Sequence, residues 1–275
     1  MPVPATTMKV LILVKAAPVL TRELDETMCV AGIRLDVDPI EWVRLHPVPF
    51  RDLNDDSKFK KYEVVTVDVT PPKTDRRPET WSPRHGSIVR DEVLGTDAGW
   101  AQRSALVEQL PERTMCELVE ANRKGSGIGV PSLAVVRPVK SPTMRISQRD
   151  EAQLATWRNR AAGAAARISL FDDPSAEKLP FEVVPWRFQY QYRCAAASCR
   201  GHEQTIVDWE ILALWRHVRR SADWQEQVTQ RFCVDLWGGR DAVLFVGNQE
   251  QHPTSFLVLG VFWPPAGAKQ GVLNL

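Results

Sequence analysis

Residues 186–210 read WRFQYQYRCAAASCRGHEQTIVDWE, and this stretch decides the fold. Trp186, Phe188, Tyr190 and Tyr192 alternate with Arg187, Gln189, Gln191 and Arg193. A period of two marks a strand with one face in a core and the other in water. Cys194, Cys199 and His202 follow in a C-x4-C-x2-H spacing that can close around a metal. Asp208 is then placed to cap a helix, with Glu210 adding negative charge to its first turn. The order is strand, ligand-rich turn, strand, helix. It predicts an α+β chain that is mainly β.

Working outward, the same signals recur. Residues 8–16, 26–35, 40–46, 62–69 and 88–94 are rich in Val, Ile and Leu or alternate, and are expected to be strands. Residues 97–122 carry helical spacing, with Pro111 dividing two helices. Strands are expected again at 132–139, 241–247 and 254–262, and helices at 208–219 and 222–232. The proline-rich run 71–87 reads as an extended loop. A polar break over 140–155 suggests two domains, 1–145 and 146–275. The first strands are joined by turns too short for crossover helices, which argues against a parallel doubly wound sheet. Short strands with a helical insertion in each half suit two OB-like β-barrels.

Composition narrows the function. The 275 residues are 44% hydrophobic and carry a net charge of +1, so a polyanion can be held only by a local patch. No apolar run approaches the roughly 20 residues of a membrane span. No secretory signal is read either, so a cytoplasmic protein with reduced thiols and no membrane partner is expected. There, clustered cysteine points to metal before disulfide. The glycines of KGSGIGV (124–130) lack the order of a phosphate-binding loop.

Five segments carry a resemblance: MKVLILVK, MCVAGIRLDVDPIEWVRLHPVPFRDL, FKKYEVVTVDV, the Cys/Cys/His cluster with its DWE, and FVGNQEQHPTSFLVLGVFWPP. Together they resemble the dual-OB-domain family of prokaryotic proteins. The resemblance implies two OB barrels and a part in sensing or holding nucleic acid during conflict with phages and mobile elements. It implies no enzymatic activity.

Two candidate sites follow. Cys194, Cys199 and His202 offer three zinc ligands, with His217 as the fourth and Cys233 and Cys29 as alternatives; the same residues also suit a hairpin without metal. A nucleic-acid surface is expected from Trp42, Arg44, Arg51, Lys58, Lys60 and Lys61 in the first half. Arg187, Arg193 and Gln249 supply it in the second. The plainer alternative makes Trp42 a core residue and the charges a solvated face. The leading expectation is a non-catalytic module that binds DNA or RNA. One alternative is a metal-dependent nuclease using His202, Asp208 and Glu210, although carboxylates two apart on a helix diverge. Another is a scaffold that holds other defence proteins.

Overall fold

The computed structural model describes residues 5–19, 26–125, 127–165 and 181–267. The first half is a closed barrel. Strands β1 (Thr6–Lys15), β2 (Met28–Arg34), β3 (Glu41–Val48), β4 (Glu63–Thr70) and β5 (Thr80–Pro83) close in the order β1-β2-β3-β5-β4-β1. Every pair is antiparallel except β3–β5. A sixth strand, β6 (Val89–Val93), extends from β4. Helices α1 (Asp97–Val107) and α2 (Met115–Lys124) follow.

The unbroken apolar run of β1 has a physical reason: both of its faces are covered. Met8, Val10 and Ile12 point into the barrel with Val30, Val43 and Val67. Leu11, Leu13 and Val14 join a second layer that contains Phe245, Leu259 and Phe262 of the other half. Gly32 of β2 sits where a Cβ would meet the Leu11 carbonyl oxygen, so only glycine lets these two strands approach.

The second half holds two three-stranded sheets. One is β7 (Leu133–Val136), β11 (Val243–Gln249) and β12 (His252–Phe262). The other is β8 (Thr143–Gln148), β9 (Trp186–Tyr192) and β10 (His202–Thr205). Single bridges join the sheets, antiparallel at Pro138–Cys194 and parallel at Ile206–Val258. Helices α3 (Glu151–Ala165), α4 (Trp209–Val218) and α5 (Trp224–Thr229) complete this half. The period-two pattern of β9 holds: Phe188, Tyr190 and Tyr192 lie in the core with Ile211, Trp215 and Phe232.

Strands β7 and β11 separate the two cores. Ala134, Val136, Leu244 and Val246 face the second half's interior, while Leu133, Val135, Val243 and Phe245 face the first half. Because β7 pairs with β11, residues from 133 onward belong with the second half. The division between the halves therefore lies before β7. Three elements differ from expectation. β5 forms inside the proline-rich run because β3 and β4 supply its hydrogen-bonding partners. β8 and α3 occupy what reads as a polar break, with Met144 and Ile146 of β8 packed on the core.

Candidate metal centre and the adjoining sheet face

Four donors meet at one end of the β8–β9–β10 sheet. Cys194 follows β9, His202 opens β10, and Cys199 lies in the turn between them. Gly201, with φ +109°, adopts a backbone region open to glycine and so brings the chain round to His202. The fourth donor is Cys116, the second residue of α2. That helix is fixed by a reciprocal cap between Thr114 and Glu117. All four ligand atoms lie within 4.8 Å of one another.

The spacing fits a tetrahedral ion. Zinc bonds of about 2.3 Å to sulfur and about 2.0–2.1 Å to nitrogen set sulfurs about 3.8 Å apart and sulfur–nitrogen pairs about 3.5–3.6 Å apart. The Cys194 and Cys116 sulfurs are 3.7 Å apart. His202 Nε2 lies 3.4 Å from Cys194 Sγ, 3.3 Å from Cys199 Sγ and 3.6 Å from Cys116 Sγ.

The electrostatics agree with this geometry. Burial pushes the Cys116 thiol up to about 12, and the adjacent Cys194 and Cys199 push in the same direction. Three thiolates crowded together need a cation among them, and a coordinated thiol is deprotonated outright. Burial also opposes ionisation of Cys199, but the backbone N–H groups of Cys194 and Gly201, together with the Cys194 and Cys116 thiols, outweigh it and lower its pKa. Burial holds His202 below its ordinary value, which favours the neutral imidazole that a metal requires. The donor set therefore suits a closed site with no position left for substrate.

His217 is not part of this centre. It is exposed on α4, whose Ile211, Trp215 and Val218 face the core. Cys29 and Cys233 are partly buried elsewhere. Cys116 escaped the sequence reading because its partners lie 78 and 86 residues away. A thiol in the first turn of a capped helix was the available signal, since helix N-termini favour thiolate.

The outward side of the same sheet is polar. Arg145 of β8 pairs in register with Gln189 of β9, and Ser147 with Arg187. Arg149 lies beside Arg187, and its guanidinium stacks on the Trp157 ring of α3 at 4.8 Å. Burial, then the neighbouring Arg187 charge, lowers Arg149 to about 10. Gln191 and Arg193 are exposed. Glu203 of β10 lies on this face and accepts from Gln189 at 2.8 Å, Gln191 at 2.7 Å and Arg145 at 3.3 Å.

Two family models divide the chain between residues 109 and 111, within the helical stretch between β6 and β7. One, a domain of unknown function (DUF8757), matches residues 111–274. The chain belongs to the DUF8757 family. A second model, another domain of unknown function (DUF8758), matches residues 6–109. A search of curated proteins returns no match. All four donors of the metal centre lie within the DUF8757 region.

Of the first-half candidates, which lie elsewhere, Trp42 and Arg44 are buried and Lys61 is largely covered, whereas Arg51 and Lys60 are exposed. Trp42 is buried with its ring edge-to-face on Phe245 at 5.5 Å. Arg44 is 1% exposed, and its Nη2 donates to the Ser132 carbonyl. Lys61 is enclosed between Asp208 at 3.2 Å and Glu210 at 3.0 Å. Arg51 pairs with Glu26, and Lys58 with Asp55. Lys60 is exposed. At the end of β11, Gln249 is exposed and bonds Ser255. Trp42 and Arg44 do share one strand face, as alternation predicts, but the second half covers it. Asp208 caps α4, accepts from the Glu210 N–H at 3.0 Å, and is 1% exposed. A buried carboxylate bound to Lys61 is poorly placed to hold a catalytic cation.

Proposed function

We propose that this chain is a non-catalytic nucleic-acid-binding module whose contact surface is the outward face of β8, β9 and β10. The observation that carries the proposal is charge. Arg145, Arg149, Arg187 and Arg193 line that face, and the Glu203 carboxylate pairs with Arg145. A local cationic strip of this kind is what a chain with net charge +1 needs to hold a polyanion. Gln191 adds an amide for polar contacts, and Trp157 lies at the margin with a ring suited to stacking.

Both halves read as OB barrels. In the first, β1 pairs with β2 and β4, and β3 runs parallel to β5. The second follows the same circuit when β7 and β8 are taken as one bent strand. The path runs β8–β9–β10, crosses the parallel Ile206–Val258 bridge to β12, then returns through β11 to β7. OB barrels bind oligonucleotides across strands two and three with the loops after strands one and four. In the second half these are β9, β10, α3, and the turn that follows Gln249. Zinc is the ion we assign to Cys116, Cys194, Cys199 and His202, because three thiolates and one imidazole suit it in a structural role. The dual-OB resemblance extends the proposal to a recognition part in prokaryotic conflict with mobile elements.

Fluorescence anisotropy with labelled single-stranded and duplex DNA and RNA at low salt tests this reading. Single strands are expected to bind. Log affinity should fall against log salt with a slope of about −2 to −3, the value for three to four phosphate contacts at roughly −0.7 each. Binding of none of the four probes would overturn the proposal.

A further inference from the structure

We infer that occupancy of the four-donor centre controls how well the β8–β9–β10 face holds a polynucleotide; the inference rests on the binding reading above. Metal ligands and face residues are immediate chain neighbours. Arg193, on the face, precedes the ligand Cys194, and the ligand His202 precedes Glu203, on the face. Arg193 and Glu203 are exposed, whereas Cys194 is buried and His202 partly buried.

The coupling is also through hydrogen bonds. Arg193 Nε and Nη2 donate to the Cys199 carbonyl at 3.1 and 2.5 Å. The guanidinium is thus held by the backbone of a ligand residue. The Cys194 N–H donates to Cys199 Sγ at 3.4 Å, and the Cys199 N–H to the Ala196 carbonyl at 2.9 Å. On the other arm, His202 pairs with Tyr192 and Glu203 with Gln191. Position 202 therefore sets the register of the acid that organises Gln189, Gln191 and Arg145. Behind the turn, the Val139 N–H donates to the Arg193 carbonyl at 2.9 Å, beside the lone Pro138–Cys194 bridge.

β10 has only four residues, and one isolated bridge continues it toward β12. So short a strand needs help to stay in register. The metal would supply it by tying the β9–β10 turn to Cys116 on α2. Loss of the ion would free the turn, release Arg193 and let Glu203 drift, with the barrel of the first half unaffected.

The experiment compares zinc-loaded, chelator-stripped and zinc-reconstituted full-length protein, measuring single-strand affinity and amide hydrogen exchange on each. Stripping is expected to weaken binding about tenfold, and reconstitution to restore it. Amides of 186–205 should lose protection while those of β1–β5 keep it. Loaded and stripped proteins that bind equally would overturn the coupling. So would unchanged protection over 186–205, or loss of protection throughout the chain. A loaded protein that binds nothing would instead refute the binding reading, and the exchange data would still decide whether metal orders the hairpin. Arg193→Ala in the loaded protein should weaken binding while retaining one zinc, separating the residue's charge from the metal's hold on the turn.

Discussion

The outward face of β2 and β3 lies under the second half of the molecule, whereas the outward face of β9 and β10 carries exposed Gln191, Arg193 and Glu203. Both faces begin from a ring-and-cation pattern with a period of two. In β3 the sequence is Trp42, Val43, Arg44; in β9 it is Trp186, Arg187, Phe188. The register of that pattern against the core differs. On β3 the ring and the cation share a face, and the strands of the second half close over it. On β9 Phe188 goes inward and Arg187 outward. One surface thus becomes an interface within the chain, and the other carries exposed polar groups.

The means of closure differ as well. Neighbouring strands of the first barrel all share ladders, from six residue pairs at β1–β4 to two each at β3–β5 and β4–β5. The second half joins its sheets by single bridges and places four metal donors at one of them. Where hydrogen bonding between strands is sparse, coordination can take over the task of fixing the hairpin.

The comparison can be broken in several ways. Phe245→Ala removes a ring that is 1% exposed and packs on Trp42 and Phe262. It should cost about 3–5 kcal/mol in urea unfolding of the zinc-loaded protein. A cost below 1 kcal/mol would mean that the two halves do not share a core. Trp42→Ala should lower stability to a similar extent through lost packing. A stable W42A protein with lost nucleic-acid affinity would restore Trp42 as a stacking residue.

Cys116→Ser should lower zinc content well below one per chain, and His217→Ala should leave it at one, as read by metal analysis. The reverse result would return the fourth ligand to α4. A smaller effect is expected at Asp75, whose carboxylate binds Arg77 at 2.5 Å while Arg77 Nη1 donates to the Asn248 carbonyl at 2.7 Å across the two halves. Burial opposes ionisation of Asp75, but its bonds from Arg77 prevail and hold it below the ordinary carboxylate value. A depressed folded pKa contributes stability above the unfolded value, near 3.8, that is lost as pH falls through the folded one. Asp75→Asn should therefore cost about 1–2 kcal/mol at neutral pH and progressively less in acid. An equal cost at both pH values would remove the charge from the explanation.

Much of this architecture was legible in the chain. Alternation identified β4 and β9, and the Asp208 cap located the start of α4. What escaped depended on contacts distant in sequence. β5 is a strand because two neighbours pair with it, despite the prolines around it. Alternation tells which residues share a face but not what covers that face, so Arg44 read like Arg187 although one is buried and the other partly exposed. His217 lies two positions after Trp215, so helical spacing alone turns it away from the core side. Cys116 offered only its place at a helix start.

The most direct measurement compares charge reversal in the two halves. Arg145→Glu with Arg187→Glu alters the open face of the second half, and Lys60→Glu alters an exposed cation of the first. Single-strand affinity at low salt should fall at least tenfold for the paired reversal and change less than twofold for Lys60→Glu, with zinc content at one per chain in both. Loss of affinity in the Lys60 variant with none in the paired reversal would contradict the assignment of the binding face.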